Sequence, residues 1–310
     1  MTNETLDAPL VDNSDPSLTR PLPGALAGAR ADVIAAAQDL MAVPESALTR
    51  PWTWIGGSEV EVRYGAYRAA EALEQAEIEA RAAASAADAM ERGAARIIGA
   101  STAARWDLHG LMLPLEGRWL DADPGNDEWT VRLTMGHIIS GQRGYAWGNA
   151  WVHAHGPDPM DPQRQIRAPE SLWDALPDEA TTEAAGTISD LRTRLDAILD
   201  LSAERLAGLP DDHLAIPTRW SGFPVSLGFR FRRWASHIRE HTIQVEKTLA
   251  LVGHVPDEPA RLVRNMLSAY GRAEAVVFGR LAVDDAVGHI VRGAAEARQA
   301  AQSARKAAGA

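Results

Sequence analysis

Two histidines four residues apart, His237 and His241, stand with Gln244 three further on in the stretch RWASHIREHTIQ, residues 233–244 of a 310-residue chain with nine histidines. On a helix turning once per ~3.6 residues these three side chains share one stripe. An imidazole pair at that spacing reaches a single ion, because neutral imidazole is the usual nitrogen donor to zinc, nickel, copper or ferrous iron. Plain core packing would use the same spacing. A third ligand would separate the two readings, and His137 is the best candidate. It sits mid-helix in a segment whose Gly136, Gly141 and Gly144 cost roughly 1 kcal/mol each relative to alanine. Such glycines imply either close helix packing or a cavity. The chain has no cysteine, so any metal must be held by His, Asp or Glu, and neither a disulfide nor a cysteine nucleophile exists.

Around the histidines, Leu227, Arg230, Trp234, His237, His241, Gln244 and Thr248 form one stripe, beside an apolar stripe of Phe231, Ala235, Ile238, Thr242, Val245 and Leu249. The pair therefore borders the core. Arg230 could grip a carboxylate, although a solvated or ion-paired arginine is the commoner use. Trp147, Trp151 and Trp234 lie in register to line a pocket, and Gln244 stands beside His241. Glu240 points off the stripe and reads as a surface residue. His153 and His155 fall at a fraying helix end; His109, His213, His254 and His289 are isolated.

The elements that must position these residues read as helices almost throughout. Residues 1–24 are polar and proline-punctuated, and are expected to be disordered. Residues 25–96 form an N-terminal helical extension, in which PWTWIGG (51–57) is expected to plug the bundle. Ile97, Ser101, Ala104, Leu108, Leu111 and Leu115 step by threes and fours, as a buried helical face does. DADPGNDEW then breaks the chain, with Asn126 or Asp127 able to cap the helix that carries His137. After an irregular stretch, 156–180, Ile188, Leu191, Leu195, Ile198, Ser202 and Leu206 mark a third helix, and the His237 helix is the fourth. Strand signals are almost absent. The expected class is all-α: a four-helix bundle over 97–255, with alanine-rich C-terminal helices over 256–310.

Composition excludes several classes. The net charge is −11, with a pI near 5.3, and the basic residues are dispersed, which disfavours nucleic acid. No apolar run approaches the ~20 residues that span a bilayer, and the N-terminus lacks a basic-then-apolar leader, so a cytoplasmic protein is expected. Lysine occurs only at Lys247 and Lys306 among 31 basic residues, in a chain crowded with alanine, a bias typical of a GC-rich bacterial genome.

The capped EWTVRLTMGHII helix, the long loop and the later H-x-x-x-H-x-x-Q together resemble the DinB-like (damage-inducible) superfamily, which includes bacillithiol transferases and mycothiol-dependent maleylpyruvate isomerase. The matching positions are Trp129 and Thr130 at the helix start, then His137, His237 and His241, and the resemblance covers about residues 97–252. It implies a four-helix bundle holding one divalent metal (zinc, nickel, iron or manganese) on three histidines at the mouth of a cavity. It also implies activation of a low-molecular-weight thiol, such as mycothiol, for S-transfer to an electrophile or for isomerisation, and a homodimer would be consistent with it. The alanine-rich helices of 256–310 differ from the C-terminal domain of those isomerases. A non-catalytic metal-binding, helical interaction or stress protein is the alternative.

Two rival motifs are weaker. HIREH matches the inverted zinc-peptidase pattern H-x-x-E-H, with Glu240 as base, but that family needs a downstream glutamate on a mixed α/β domain. The H-x-x-x-H-x-E of ergothioneine-type sulfoxide synthases fails at Ile243.

Overall fold

Alanine, leucine and arginine are strong helix formers, and the chain punctuates runs of them with side-chain caps, so long helices follow from local preference alone. The computed structural model describes residues 19–54, 57–87, 93–156, 168–280 and 283–310. Eight long helices order them: α1 Ala25–Met41, α2 Tyr64–Ala86, α3 Gly93–Met112, α4 Val131–His155, α5 Ile188–Leu206, α6 Leu227–Leu251, α7 Glu258–Glu274 and α8 Asp284–Ala308. Thr130 caps α4 by accepting from Leu133 N–H, Thr187 and Asp190 form a capping box on α5, and Ser226 and Asp257 cap α6 and α7. The expected caps of α4, Asn126 and Asp127, instead occupy the left-handed region at φ 56° and 58°, in a turn that small polar residues tolerate. The class is all-α, with two small hairpins among the described residues.

Helices α3, α4, α5 and α6 pack in a ring, α3 touching α5 and α6, and α4 touching the same two. Their inner faces make one core, containing Leu108, Ile138, Leu195, Phe231 and Ile238, all essentially inaccessible to water. The helices before and after this bundle, α1, α2, α7 and α8, pack on one another in a second ring with its own core of Val33, Leu73, Met266 and Ile290. The helical extension expected over 25–96 and the alanine-rich helices expected over 256–310 thus pack on each other around a shared core. Trp52 and Trp54, of the hairpin Pro51–Thr53 (β1) and Glu59–Glu61 (β2), pack against this second core. PWTWIGG therefore does not cover the bundle that carries the histidines, and its Ile55 and Gly56 lie outside the described residues. Of residues 1–24, residues 1–18 also lie outside them, whereas Arg20 N–H donates to the Glu204 carbonyl at 2.8 Å, tying the approach to α1 onto α5.

The two bundles meet along α3 and α7, where Gly271 allows close approach: a Cβ there would lie 2.8 Å from Trp106 Cβ. Beside this contact runs a buried ionic network. Arg105 (α3) donates to Asp200 (α5) at 2.7 Å and to Glu274 (α7) at 2.6 Å, and Arg30 (α1) donates to Glu274 at 2.9 and 2.8 Å and to Asp200 at 3.0 Å. Burial alone would raise the Glu274 carboxyl, but Arg30 and Arg105 outweigh it and hold the group at about 2. His109, which reads as isolated in sequence, bonds Asp196 at 2.8 Å on the edge of this network. No described helix is long and apolar enough to cross a membrane.

Candidate metal centre

His137 lies near the start of α4, and His237 and His241 lie midway along α6. The two helices run antiparallel: Thr248, late in α6, donates to the Trp129 carbonyl at 3.0 Å, and Arg230, early in α6, donates to Asn149, late in α4, at 2.7 Å. Gly141 shows why α4 tolerates a glycine at its centre. A Cβ there would sit 2.5 Å from His237 Cε1, so the His237 ring occupies the space that any larger residue would take.

The three imidazoles converge. One ligating nitrogen from each lies within 4.8 Å of the others, and His137 Nε2 and His237 Nε2 are 3.3 Å apart. Four donors arranged tetrahedrally at 2.0–2.1 Å from an ion stand about 3.3–3.4 Å from each other, so this separation suits a shared zinc-like ion. The outer nitrogens are held as well. His137 Nδ1 lies 3.1 Å from both oxygens of Glu179, and His241 Nδ1 lies 2.7 Å from Gln244 Oε1. Each contact keeps a proton on Nδ1 and the lone pair on Nε2. At His237 the partner is Gln142, whose Nε2 is 3.3 Å from Nδ1 while its buried Oε1 has no partner. The same Nε2 also donates to the Trp234 carbonyl at 3.4 Å, so Gln142 bridges the His237 ring and the backbone one turn before it.

Protonation favours the same use. Burial, then the neighbouring His241 and His137, push His237 down to about 3, and burial lowers His241 too. Both are neutral lone-pair donors at physiological pH. A folded pKa below the unfolded value near 6.5 means that the unfolded chain binds the extra proton. The stability contribution is therefore full above pH 6.5 and is lost as pH falls toward 3. At about 1.4 kcal/mol per unit, metal-free protein is expected to lose about 2 kcal/mol between pH 6.5 and pH 5, read by urea unfolding. The loss should shrink in His237→Asn; an unchanged slope in that variant would contradict the assignment.

The histidines open into a solvent-facing cavity of about 560 Å³. Arg230 lines it, and Gln244 stands behind His241. Trp234 and Trp151 do not line it. Trp234, three residues before His237, turns into the core and stacks on Phe231 with ring centroids 5.0 Å apart. Trp151 lies 14 residues beyond His137, roughly 21 Å along α4 at 1.5 Å per residue, and stacks on His155. Trp147 is likewise core. Glu240, expected on the outer surface, instead lines the cavity rim, paired with Arg233 through bonds of 2.8 and 2.7 Å.

Several cavity residues come from outside the helices that the sequence marks. Glu179 begins a single π-type turn, Glu179–Glu183, and Trp173 belongs to a short helix, Glu170–Asp174; both residues fall in the stretch 156–180 expected to be irregular. Trp220 is delivered by the hairpin of Pro217–Trp220 (β3) and Phe223–Ser226 (β4). Its loop, Ser221 and Gly222 at φ 45° and 86°, has the two positive φ values of a type I′ turn. The alternation T-R-W, S-G, F-P-V was the available signal for this hairpin. For Glu179 the only signal was chemical: a ligating histidine wants a carboxylate behind it, which names no position.

Residues 100–245 match the family model described as the DinB superfamily, an interval that contains all three histidines. No curated protein and no solved structure is a significant match to the chain.

Proposed function

We propose, from the premise that this chain belongs to the DinB superfamily through residues 100–245, that His137, His237 and His241 hold one divalent metal at which a low-molecular-weight thiol is activated for transfer or isomerisation. The observation that carries this reading is the convergence of three imidazole nitrogens within 4.8 Å at the floor of an open cavity. Three protein donors are the number found in catalytic rather than structural sites, which keep a position for substrate. A divalent ion bound there supplies the Lewis acidity that makes a thiol or a water give up its proton at neutral pH.

The chain's own residues do the rest. Glu179, Gln244 and Gln142 fix the planes of the three rings, so the donors are organised before a ligand arrives. Trp173, Tyr145 and Trp220 wall the cavity with apolar rings. Burial raises the Tyr145 phenol above its ordinary value, so it stays a neutral hydroxyl able to donate as well as accept, with Arg233 as one hydrogen-bond donor to it. In transfer the substrate sulfur would form a bond to the electrophilic carbon as that carbon's bond to its leaving group breaks, the thiol proton passing to solvent and the leaving group departing as an anion, bromide for a bromoalkyl electrophile; no protein cysteine is needed.

The test is metal-loaded protein given mycothiol and monobromobimane as electrophile. Conjugation above the uncatalysed rate is expected, lost with chelator and in His241→Ala. Stoichiometric metal without thiol-dependent turnover would favour the non-catalytic metal-binding reading instead.

A further inference from the structure

Arg230 lies two turns before His237 on α6, roughly 10 Å along the axis, and only 9% of it is exposed. A buried guanidinium ordinarily has a carboxylate partner, because an unpaired buried charge is costly. Among the described residues Arg230 has none. Its Nε donates to Asn149 Oδ1 at 2.7 Å, its Nη1 donates to the Arg219 carbonyl at 2.9 Å, and its Cζ lies 5.8 Å from the Trp220 ring centroid. Two of its five N–H donors are thus engaged by neutral acceptors and three are left over. Burial lowers its pKa, the direction expected of a cation without an anion, yet arginine stays charged at any working pH.

This corner of the cavity is shaped around the guanidinium. Gly148 is the residue of α4 that faces it. A Cβ there would lie 2.7 Å from Arg230 Nη2 and 2.6 Å from Trp173 Cη2, so only glycine lets the arginine and the tryptophan close on the same spot. Asn149, fully buried, sets the guanidinium plane. The other charges do not compensate it: Glu240 is paired with Arg233, and Glu179 is turned to His137. Arg219, also on the cavity, adds further positive charge.

We propose that Arg230, framed by Gly148, Trp173 and Trp220, is an anion subsite, and that the molecule brought to the histidines carries a carboxylate or equivalent oxyanion at its far end. The ligand class is a short extended acid with a metal-seeking atom at one end, roughly 10 Å of helix axis separating the two anchors. The metal-seeking end rests on the reading given under Proposed function, whereas the anion end stands on Arg230 itself.

The test is calorimetric titration with ω-mercaptocarboxylates (3-mercaptopropanoate, 6-mercaptohexanoate and 8-mercaptooctanoate), each beside the mercapto-alcohol of equal length. Protein is used with and without metal, its content fixed by elemental analysis. In wild-type protein the best-fitting acid is expected to bind about 10- to 100-fold tighter than its alcohol, the usual range for a charged hydrogen bond. The ratio should fall to near one in Arg230→Gln and be partly kept in Arg230→Lys. Equal binding of acid and alcohol to wild-type protein would overturn the subsite, and that comparison needs no variant to fold. Thiol binding that requires metal but ignores the acid overturns the subsite alone. An Arg230-dependent acid preference in protein that takes up no metal supports the subsite and overturns the metal reading.

Discussion

Alanine at His137, His237 or His241 is expected to strip the protein of its metal while leaving its helix content nearly intact. Wild-type protein, purified without a histidine tag or chelator, should carry close to one divalent ion per chain by elemental analysis. Each variant keeps two of three donors, and losing a ligand outright should cost more than the 10- to 100-fold that follows loss of a residue merely orienting one. The three positions are not equivalent in their surroundings. His237 is 5% exposed and fills the space over Gly141, so its alanine variant also leaves a void, whereas His137 and His241 are only half-buried. Metal loss should therefore be common to all three, with a stability penalty largest for His237→Ala. Equal metal loading in any one variant would remove that residue from the site.

Alanine at Glu274 is expected to be among the most destabilising single changes in the chain, by about 3–5 kcal/mol, the usual cost of leaving a buried charge without its partner. The Glu274 side chain is inaccessible to water and accepts from both Arg30 and Arg105, as well as from Thr102 at 2.7 Å. Removing it leaves Arg30 with Asp200 alone and Arg105 with Asp200 and, at 3.4 Å, Asp196, so two buried cations lose their shared carboxylate. The wild-type carboxyl, held at about 2, is protonated only in strong acid, so over pH 5 to 8 the penalty should not vary with Glu274 titration. Urea unfolding of Glu274→Ala beside wild type measures it. A loss below about 1 kcal/mol would mean that solvent or rearrangement satisfies the arginines. Metal content should not change, because none of these groups lies at the histidines.

Much of the helical framework was legible because its periods are strong. The stripe Phe231, Ala235, Ile238, Thr242, Val245 and Leu249 is the buried face of α6, with Ala235 and Leu249 each 3% exposed. His137 and the His237–His241 pair were legible as candidates because spacing on a helix converts directly into direction. The tryptophans were misread for the same reason in reverse: a large side chain in register with a site is as readily core as wall, and Trp234 is fully buried beneath the histidines. Glu179, Trp173 and Trp220 escaped because a π-type turn, a five-residue helix and a four-residue strand have no period to detect. The second bundle escaped because its helices meet through alanine and glycine. Such faces carry little side-chain identity, so nothing in α2 or α8 names the other as its partner.

That second bundle has a consequence for synthesis on the ribosome. Helices α1 and α2 precede the metal-bearing bundle and α7 and α8 follow it, so the bundle of α3–α6 is in effect an insertion between two halves of another unit. The first half leaves the exit tunnel with its apolar alanine face uncovered and must wait for roughly 170 more residues, the length of a typical domain, before α7 begins at Glu258. During that interval the contacts within α3–α6 are all available to the chain, while α1 and α2 lack the two helices that cover them. A nascent chain stalled before Glu258 would therefore contain every helix of the histidine-bearing bundle beside an unfinished neighbour.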